Sequence, residues 1–494
     1  MRISLDRSTS DGRPIYRRIA ERIRGELAAE RLAPGDRLPP IRELARTLGV
    51  NRDTVALAYE ALAAAGVVES SVGRGTFIAG RPGRREELAP AVLPPLSPLA
   101  LRLLDLERAR PRFGSTEGAV PLHTLVPDPS LYPAEEFRRV LNRVLARGGP
   151  DLLLYGEPQG HPRMRAVLAE RLRASGIAVG PDELVLCHGA SQGIALALRL
   201  FAGPGDAVAL EEPTYHNVLA AVAGLGLRAA PIPMRDGGLD LAAAERTLAR
   251  PEVKVLYTIP SFHNPLGTTT SPGHRRALLE IAARCGKPVI EDGYEIDLRF
   301  DGRPVPPLAA LDTSGLVVHL HSFSKSLFPG VRVGAVAARG RLVEALLALK
   351  RATDLSDAMP LQAALAEFVA SGAYDRHLVR LRRVLRARRD ALCEALAEHL
   401  PEGALWARPE GGTQLWVDLP GGIDTTDLLA DAIGAGVLFA PGSQFFCDGR
   451  SSSGLRLAFA MADEASIRRG VAALGTLARR QLADGSRPPA GIQV

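Results

Sequence analysis

The chain has 494 residues, of which 46% are hydrophobic and 23% are charged, and its formal net charge is +6. This length and composition predict two or more globular domains and exclude a largely disordered protein. The four cysteines form neither a CxxC pair nor a metal-ligand spacing, so we expect no disulfide framework and no metal site. The sequence contains no signal-peptide pattern and no apolar run of transmembrane length, so we expect a cytoplasmic protein without membrane contact.

The first 80 residues show the pattern of a small helical domain that ends in a hairpin. Apolar residues at helical spacing and local turn signals mark the elements. Asn51 is a suitable N-cap for the third helix. A basic tip, Gly73-Arg74-Gly75, lies between the two short strands. The sequence predicts helices over residues 14–30, 40–48 and 52–65 and strands over residues 67–69 and 76–78.

A short helix, a tight turn at Gly49-Val50 and a helix that opens with Asn-Arg-Asp-Thr have the spacing of a helix-turn-helix. The N-terminal residues of such a second helix contact base edges in the major groove, where an arginine can bind guanine with two hydrogen bonds. The alternative is an ordinary solvated basic face, since these 80 residues hold thirteen arginines against ten acidic residues. The candidate DNA contacts are Arg42, Asn51, Arg52, Thr54 and Arg74.

A resemblance favours DNA binding. The stretch PGDRLPPIRELARTLGVNRDTVALAYEALAAAGVVESSVGRGTFI is similar to the winged helix-turn-helix of the GntR family over nearly its whole length. The motifs that carry this resemblance are GDRLP, the RELA-x-x-LGV-x-R-x-TV run and the GRGTF wing. The resemblance implies a DNA-binding domain over residues 1–80, in which the residues named above and the wing contact operator DNA.

A Pro-rich linker is predicted over residues 81–118, and residues 98–107 favour a short helix within it. Beyond it, buried-type strands alternate with helices, which is typical of an α/β fold with a mainly parallel sheet. We expect a large domain over about residues 119–350 and a smaller α/β domain over about residues 351–480.

Lys325 and Asp292 are the strongest candidates for catalytic chemistry. Lys325 lies in HSFSKSLFPGVR, directly after a predicted strand, where α/β folds bind ligands. A lysine amine can form a Schiff base with an aldehyde cofactor, and an acid such as Asp292 can keep a pyridine nitrogen protonated. Taken alone, a lysine after a strand is usually solvated, and Asp292 could be a turn residue.

Other residues point to the same cofactor, although each has a simpler explanation. Ser191 opens a helix whose free N–H groups suit a phosphate, or it is only an N-cap. Asn264 could donate a hydrogen bond to a ring hydroxyl, or it belongs to a plain Asn-Pro turn. Tyr215 could stack on a ring, or it and Tyr155 are core aromatics.

Together these residues resemble the class I aminotransferases of fold type I, over roughly residues 118–480. The resemblance implies pyridoxal 5′-phosphate (PLP) as cofactor, with Lys325 as its Schiff-base lysine, Asp292 at the pyridine nitrogen and Tyr215 stacked on the ring. Arg456 is implied to pair with a substrate carboxylate. The remaining implied cofactor contacts are Asn264 and Tyr294 at the ring hydroxyl, Ala190, Ser191, Ser322, Ser324 and Arg332 at the phosphate, and Tyr155 from a second subunit.

A GntR winged helix joined to such a domain resembles the MocR subfamily of bacterial regulators. The resemblance implies a homodimer that binds operator DNA and senses an amino compound or PLP. GABA-sensing members carry an arginine two residues after the stacking tyrosine, but this chain has Asn217, which puts a GABA-type effector in doubt. An active aminotransferase with an accessory DNA-binding domain stays open as an alternative, because the set of catalytic residues is complete.

The arginine-rich stretch over residues 376–389 also invites a nucleic-acid interpretation. Its leucines, among them Leu378, Leu381 and Leu385, form an apolar stripe. We therefore expect a helix with a solvated basic face that does not contact DNA.

Overall fold

The computed structural model describes residues 15–29, 31–71, 75–79, 95–108, 111 and 118–485. The chain divides into two compact units, Met1–Pro95 and Leu96–Val494. Arg74 and the tip of the predicted wing lie outside the described residues. No helix in the described part of the chain is long and apolar enough to cross a membrane.

The first unit is a three-helix domain with a hairpin. Its elements are α1 (Ile15–Ala28), α2 (Ile41–Leu48), α3 (Arg52–Ala64), β1 (Val68–Ser71) and β2 (Gly75–Ile78). The hairpin is antiparallel, and the helices enclose an apolar core in which Ile19 and Leu62 are fully buried. Gly49 ends α2 in a left-handed conformation, and the Asn51 side chain accepts a hydrogen bond from the Asp53 N–H. The predicted elements and the Asn51 cap are confirmed to within two residues at each end.

The second unit contains a large domain built on an eight-stranded sheet in the order β4-β11-β10-β9-β8-β5-β6-β7. Strands β10, β9, β8, β5 and β6 are mutually parallel, and β11 and β7 are antiparallel to their neighbours. The strands of this sheet are β4 (Leu184–Cys187), β5 (Ala207–Glu212), β6 (Arg228–Arg235), β7 (Gly238–Leu239), β8 (Val253–Thr258), β9 (Val289–Gly293), β10 (Val317–Ser322) and β11 (Gly334–Ala337). A short strand that comes before them in the chain, β3 (Val120–Pro121), is not part of this sheet. The predicted α/β class with a mainly parallel sheet is confirmed.

Helices surround this sheet, because strands such as β4 and β9 are buried along their whole length and need cover on both faces. They are α4 (Pro98–Arg108), α5 (Ala134–Gly148), α6 (Pro162–Ala174), α7 (Ala190–Phe201), α8 (His216–Gly224), α9 (Leu241–Leu248), α10 (Pro272–Cys285), α11 (Leu308–Leu311) and α12 (Arg341–Arg351).

Residues 359–485 add four helices and an antiparallel four-stranded sheet in the order β12-β13-β16-β15. A separate short strand, β14, pairs parallel with β3. The elements are α13 (Met359–Ala370), α14 (Ala373–His399), β12 (Leu405–Trp406), β13 (Gln414–Asp418), α15 (Thr425–Gly434), β14 (Val437–Leu438), β15 (Ala440–Pro441), β16 (Gly454–Ala458) and α16 (Glu464–Gly485). The smaller α/β domain expected at the C-terminal end is present.

Helix α14 corrects the expectation of a fully solvated basic face. Its leucine stripe is buried as predicted, but so are two of its arginines, Arg388 and Arg389. Arg388 pairs with Asp128 at 3.0 Å. Arg389 pairs with Asp301, and its guanidinium lies 4.9 Å from the centre of the Phe300 ring. These partners come from distant segments, so the helical pattern alone could not reveal them.

Helix α4 lies within the predicted linker and confirms the short helix expected there. It belongs to the second unit, where it packs against α8. The Leu103 side chain lies so close to Gly224 that a Cβ added to the glycine would be 3.6 Å from it. The exact domain boundaries stay a prediction, but this part of the linker is attached to the large domain.

Candidate functional site

The first unit exposes polar and basic side chains on α2 and at the start of α3. Arg42, Asn51 and Arg52 are exposed, and Thr54 is partly buried. Among the described residues, neither Arg42 nor Arg52 has an ion-pair partner. Arg52 lies at the N-terminus of α3, the part of a helix-turn-helix that approaches base edges, and Arg42 lies at the start of α2.

Arg37 is a further basic residue of this surface that the sequence did not reveal. It is exposed, it bridges to Phe77 on β2, and its guanidinium lies 6.0 Å from the centre of the Phe77 ring. A Cβ added to Gly75 would be 2.9 Å from Arg37 Nε. The turn before α2 therefore adds a cation to the base of the wing, through a tertiary contact with no local sequence signal.

The second site lies at one edge of the large sheet, where the carboxyl ends of β4, β5, β8, β9 and β10 meet. A cavity of about 390 Å³ opens there. This is the place where open α/β sheets bind ligands. The structure brings together, around this cavity, the predicted residues Ala190, Ser191, Tyr215, Asn264, Asp292, Tyr294, Ser322, Ser324, Lys325, Arg332 and Arg456.

One end of the cavity is suited to a phosphate group. Helix α7 begins there after Gly189, whose φ of 81° is in the left-handed region. A Cβ added to Gly189 would be 3.0 Å from Arg332 Nη1, so a larger residue would press on the guanidinium. Arg332 is held by donating to the His188 carbonyl. The guanidinium and the free N–H groups of the helix N-terminus together favour an anion.

Asp292 provides a buried carboxyl at the opposite end. It is 2% exposed and accepts hydrogen bonds from the Tyr257 hydroxyl at 2.6 Å and from the Tyr294 backbone N–H at 3.1 Å. Burial raises the pKa of Asp292 to about 6, against the lowering effect of the Tyr257 hydrogen bond. A protonated pyridine nitrogen would compensate this buried charge, so the environment of Asp292 fits a pyridoxal ring.

The four lysines differ in their contacts, and Lys325 is the one that lines the cavity. Lys350 is fully buried and donates to two carbonyls and to Asp357. Lys254 and Lys287 donate to backbone carbonyls. Lys325 lines the cavity, and burial lowers the pKa of its amine, as do Arg456 and Arg332, against the opposite effect of Glu295. A lowered pKa favours the neutral amine that reacts with an aldehyde.

Arg456 lies in the same cavity and is available for a ligand carboxylate. It is 4% exposed, and it donates to Asn264 Oδ1 at 3.0 Å and to the His123 carbonyl at 2.7 Å. Among the described residues it has no carboxylate partner, and its Nε is buried without a hydrogen bond. Burial lowers the pKa of Arg456 to about 10. Glu295 interacts with it electrostatically, but a buried guanidinium that forms no ion pair with a protein carboxylate is suited to bind one from a ligand.

The two residues expected at the ring hydroxyl are held by other protein groups. The Tyr294 hydroxyl donates to the Phe262 carbonyl at 3.1 Å and accepts from Gln414 Nε2 at 2.7 Å. Asn264 uses its Oδ1 for Arg456, so its amide nitrogen is the group that can donate to the cofactor. Their contact with a ring hydroxyl stays a prediction.

Tyr215 and Tyr155 differ in their relation to the cavity. Tyr215 lines it at the start of α8, and its hydroxyl accepts a hydrogen bond from Asn217 Nδ2 at 2.7 Å. Tyr155 does not line the cavity of its own chain, and its side chain is 82% exposed. The contact of Tyr155 with the phosphate of a second subunit stays a prediction.

Glu295 is a buried acid of the site that the sequence analysis did not identify. It is 1% exposed, its Oε1 accepts from the Thr413 hydroxyl, and its Oε2 has no described hydrogen-bond partner. Burial raises the pKa of Glu295 to about 7, although Thr413 and the nearby Lys325 lower it. The folded apo-protein therefore disfavours the charged form.

This burial predicts a pH-dependent stability effect. Because the pKa of Glu295 rises on folding from its ordinary value of 4.5 to about 7, its contribution to stability is present at low pH and is lost as the pH rises through 7. As the pH rises from about 4 to about 8, the unfolding free energy of Glu295→Gln should therefore rise by about 3 kcal/mol relative to that of the wild type. Denaturant unfolding of the apo-proteins measures the difference. Glu398→Gln, at a side chain 71% exposed, is the control, and a pH-independent difference for Glu295→Gln would contradict the assignment.

Two family patterns cover most of the chain. Residues 128–474 match the aminotransferase class I and II family, and residues 15–78 match the gntR family of bacterial regulatory proteins. The chain is 31% identical over 466 residues to the probable rhizopine catabolism regulatory protein MocR of Rhizobium meliloti, and the match covers 93% of each chain. This chain belongs to the MocR family. Other relatives with helix-turn-helix regulator names match over similar lengths.

Solved structures similar to the second unit are aminotransferases. The multiple substrate aminotransferase of Thermococcus profundus is 32% identical, covers 80% of this chain and 97% of its own, and has a TM-score of 0.71. LysN, the α-aminoadipate aminotransferase of Thermus thermophilus, was solved with N-(5′-phosphopyridoxyl)-L-leucine. It is 32% identical, covers 78% of this chain and 96% of its own, and has a TM-score of 0.70. The fold of this MocR-family chain is therefore that of the fold-type-I aminotransferases, and its cofactor is PLP.

Proposed function

We propose that this MocR-family chain is a transcriptional regulator that binds operator DNA through the domain at residues 15–78 and senses an amino compound, or PLP itself, in the cavity around Lys325. The observation that carries the sensing half is the buried Arg456, which lies in the cavity of Lys325 without a carboxylate partner among the described residues. The gntR domain in the same chain supports the DNA-binding half.

In this proposal the residues that line the cavity have separate roles toward PLP and the ligand. Lys325 carries PLP, Asp292 keeps the ring nitrogen protonated, and Arg332 with the N-terminus of α7 holds the phosphate. Bound PLP supplies an electrophilic carbon for amines. Arg456 orients an amino compound by pairing with its carboxylate, and Tyr215 contacts the ring face.

Arg52→Ala tests the DNA-binding half. If Arg52 binds a base with two hydrogen bonds, the substitution should cost about 1–3 kcal/mol at the specific site and much less on random DNA. The measurement is the affinity for an operator selected from a random duplex library. Arg24→Ala on α1 removes the same charge from another exposed position of the domain. Equal losses for both variants on both DNAs would contradict a base contact by Arg52.

We also propose that the chain acts as a homodimer whose subunits share their cofactor sites. Tyr155 belongs to an exposed apolar patch with Leu153, Leu154 and Leu355, whose side chains are 66–82% exposed. The segments of the patch are joined by a hydrogen bond from the Gly156 N–H to Ser356 Oγ at 2.9 Å. Two-fold symmetry is the commonest closed assembly, and it would present two winged helices to two half-sites.

Leu154→Asp tests this assembly. A charge in the centre of the patch should convert the dimer to monomers and weaken PLP binding, because the partner's Tyr155 would be lost from each site. Sedimentation at micromolar concentration and PLP titration measure the two effects. Leu405→Asp, at another leucine 68% exposed, should leave both unchanged. A Leu154→Asp variant that stays dimeric would rule the patch out as the interface.

An active aminotransferase remains the second candidate, because Lys325, Asp292 and Arg456 all line the cavity. The two functions differ in turnover. Steady transamination of a common amino acid at about 1–10³ s⁻¹ would favour the enzyme. Binding that changes operator affinity without such turnover would favour the regulator.

A further inference from the structure

The charged residues around the cavity are few, and three of the four are taken by the cofactor. Among the described residues that line it, the charged ones are Asp292, Lys325, Arg332 and Arg456. Arg332 lies beside Gly189 at the phosphate end, and Asp292 lies at the end suited to the pyridine nitrogen. Arg456 is therefore the charged group that remains for a ligand.

Among the described residues that line the rest of the cavity there is no further lysine, arginine or carboxylate. They include Thr124, Val126, Asn217, Phe439 and Gln444, and the histidines His123 and His216. The Asn217 amide is already directed to the Tyr215 hydroxyl, at 2.7 Å.

His123, which also lines this wall, does not supply the missing charge. Burial lowers the pKa of His123 to about 4, and the nearby Arg456 lowers it too. Its imidazole is therefore neutral near pH 7. An anionic or cationic ligand side chain would lose water at this wall without gaining a charged partner, which is costly.

We propose that the effector is an amino acid with a single carboxylate and an uncharged side chain. Its amine would lie at the PLP carbon that Lys325 holds, its carboxylate would pair with Arg456, and its side chain would lie along the wall near Asn217. This inference rests on the proposed function in one respect, namely that the cavity is the sensor. It adds the class of ligand that the cavity accepts.

The proposed homodimer keeps this selectivity. The residues that line the same surface cleft as Tyr155 are Leu152–Leu154 and Ser356–Pro360. Their one charged member is Asp357, a buried acid that pairs with Lys350. If this surface brings Tyr155 to the cavity of the second subunit, these neighbouring residues add no lysine or arginine to that cavity.

Pairs of amino acids that match in size and differ in charge test the proposal. L-glutamine against L-glutamate and L-norleucine against L-lysine are titrated into the holo-protein, and binding is read from the absorbance of the linked PLP. The neutral member of each pair should bind at least about 10-fold more tightly, the lower limit for one missing charged partner. Equal or tighter binding of L-glutamate or L-lysine, or no binding of either neutral amino acid, would overturn the proposal.

Asn217→Arg provides the complementary variant. A guanidinium at this position should raise the affinity for L-glutamate about 10-fold or more and leave L-norleucine nearly unchanged. Asn142→Arg, at an exposed position of α5, adds the same charge outside the cavity and should change neither. An unchanged affinity of Asn217→Arg for L-glutamate would contradict the placement of the side chain. Operator affinity is measured separately, so that ligand binding without an operator response would reject the regulator and leave this ligand class standing.

Discussion

Lys325→Ala is expected to abolish the covalent attachment of PLP. Only the lysine amine can supply the nitrogen of the linkage, and the other lysines donate to carbonyls elsewhere in the fold. The wild-type protein should be yellow, and borohydride reduction should fix the cofactor on one peptide that contains Lys325. The variant should lack both the visible band and the labelled peptide.

The variant should still bind PLP non-covalently and more weakly, because Asp292, Arg332 and the N-terminus of α7 remain. Lys254→Ala is the matched control, since it removes a partly exposed lysine from the same domain. A normal visible band in Lys325→Ala, or its loss in Lys254→Ala, would show that the cofactor is attached elsewhere.

The local parts of the site could be predicted from the sequence. Lys325, Asp292 and Ser191 each lie at or just after the carboxyl end of a strand, and parallel strands carry such residues to one edge of the sheet. The α/β class follows from buried apolar runs separated by amphipathic helices, but β6 and β11 were not predicted. The Asn51 cap and the helix-turn-helix could also be predicted, because both depend on residues within a few positions of each other.

The parts of the site that depend on distant contacts could not be predicted. Tyr257 supports Asp292 from the neighbouring strand, and Gln414 reaches Tyr294 from the smaller domain. Nothing in their local sequence distinguishes them from core residues. Glu295 is a surface-type residue that is buried here against Thr413 and Gly412, which lie more than a hundred residues further along the chain. The burial of Arg388 depends in the same way on a distant acid.

The second large effect is expected in signalling. A ligand shifts the equilibrium between two conformations only through a difference in affinity for them. Arg456 lies on β16 and contacts Asn264 and His123 from other segments. A carboxylate that binds Arg456 must compete with or rearrange these contacts, and this supplies such a difference.

Within the second unit, the cavity is connected to α4, the helix that comes first in that unit. Tyr215 and Asn217 lie in the cavity at the start of α8, and α4, which follows the DNA-binding unit in the chain, packs on α8. His216 and Gln444 line both the cavity and the cleft beneath α4. A shift of α8 on ligand binding would therefore displace α4.

We expect the effector to change operator affinity by about 5–150-fold, the usual range of coupling between two sites. Arg456→Ala should keep PLP and basal operator binding but respond poorly to an amino acid. If PLP itself is the effector, Arg456→Ala should keep its response and Lys325→Ala should lose it.

The most direct test of the account is operator affinity with and without ligand for wild type, Arg456→Ala and Lys325→Ala. L-glutamine and PLP are the ligands, and Arg24→Ala is a control with an intact cavity. The account predicts a wild-type response to at least one ligand that is lost in at least one cavity variant and kept in Arg24→Ala. A response that neither cavity substitution changes would show that the aminotransferase-like cavity is not the sensor.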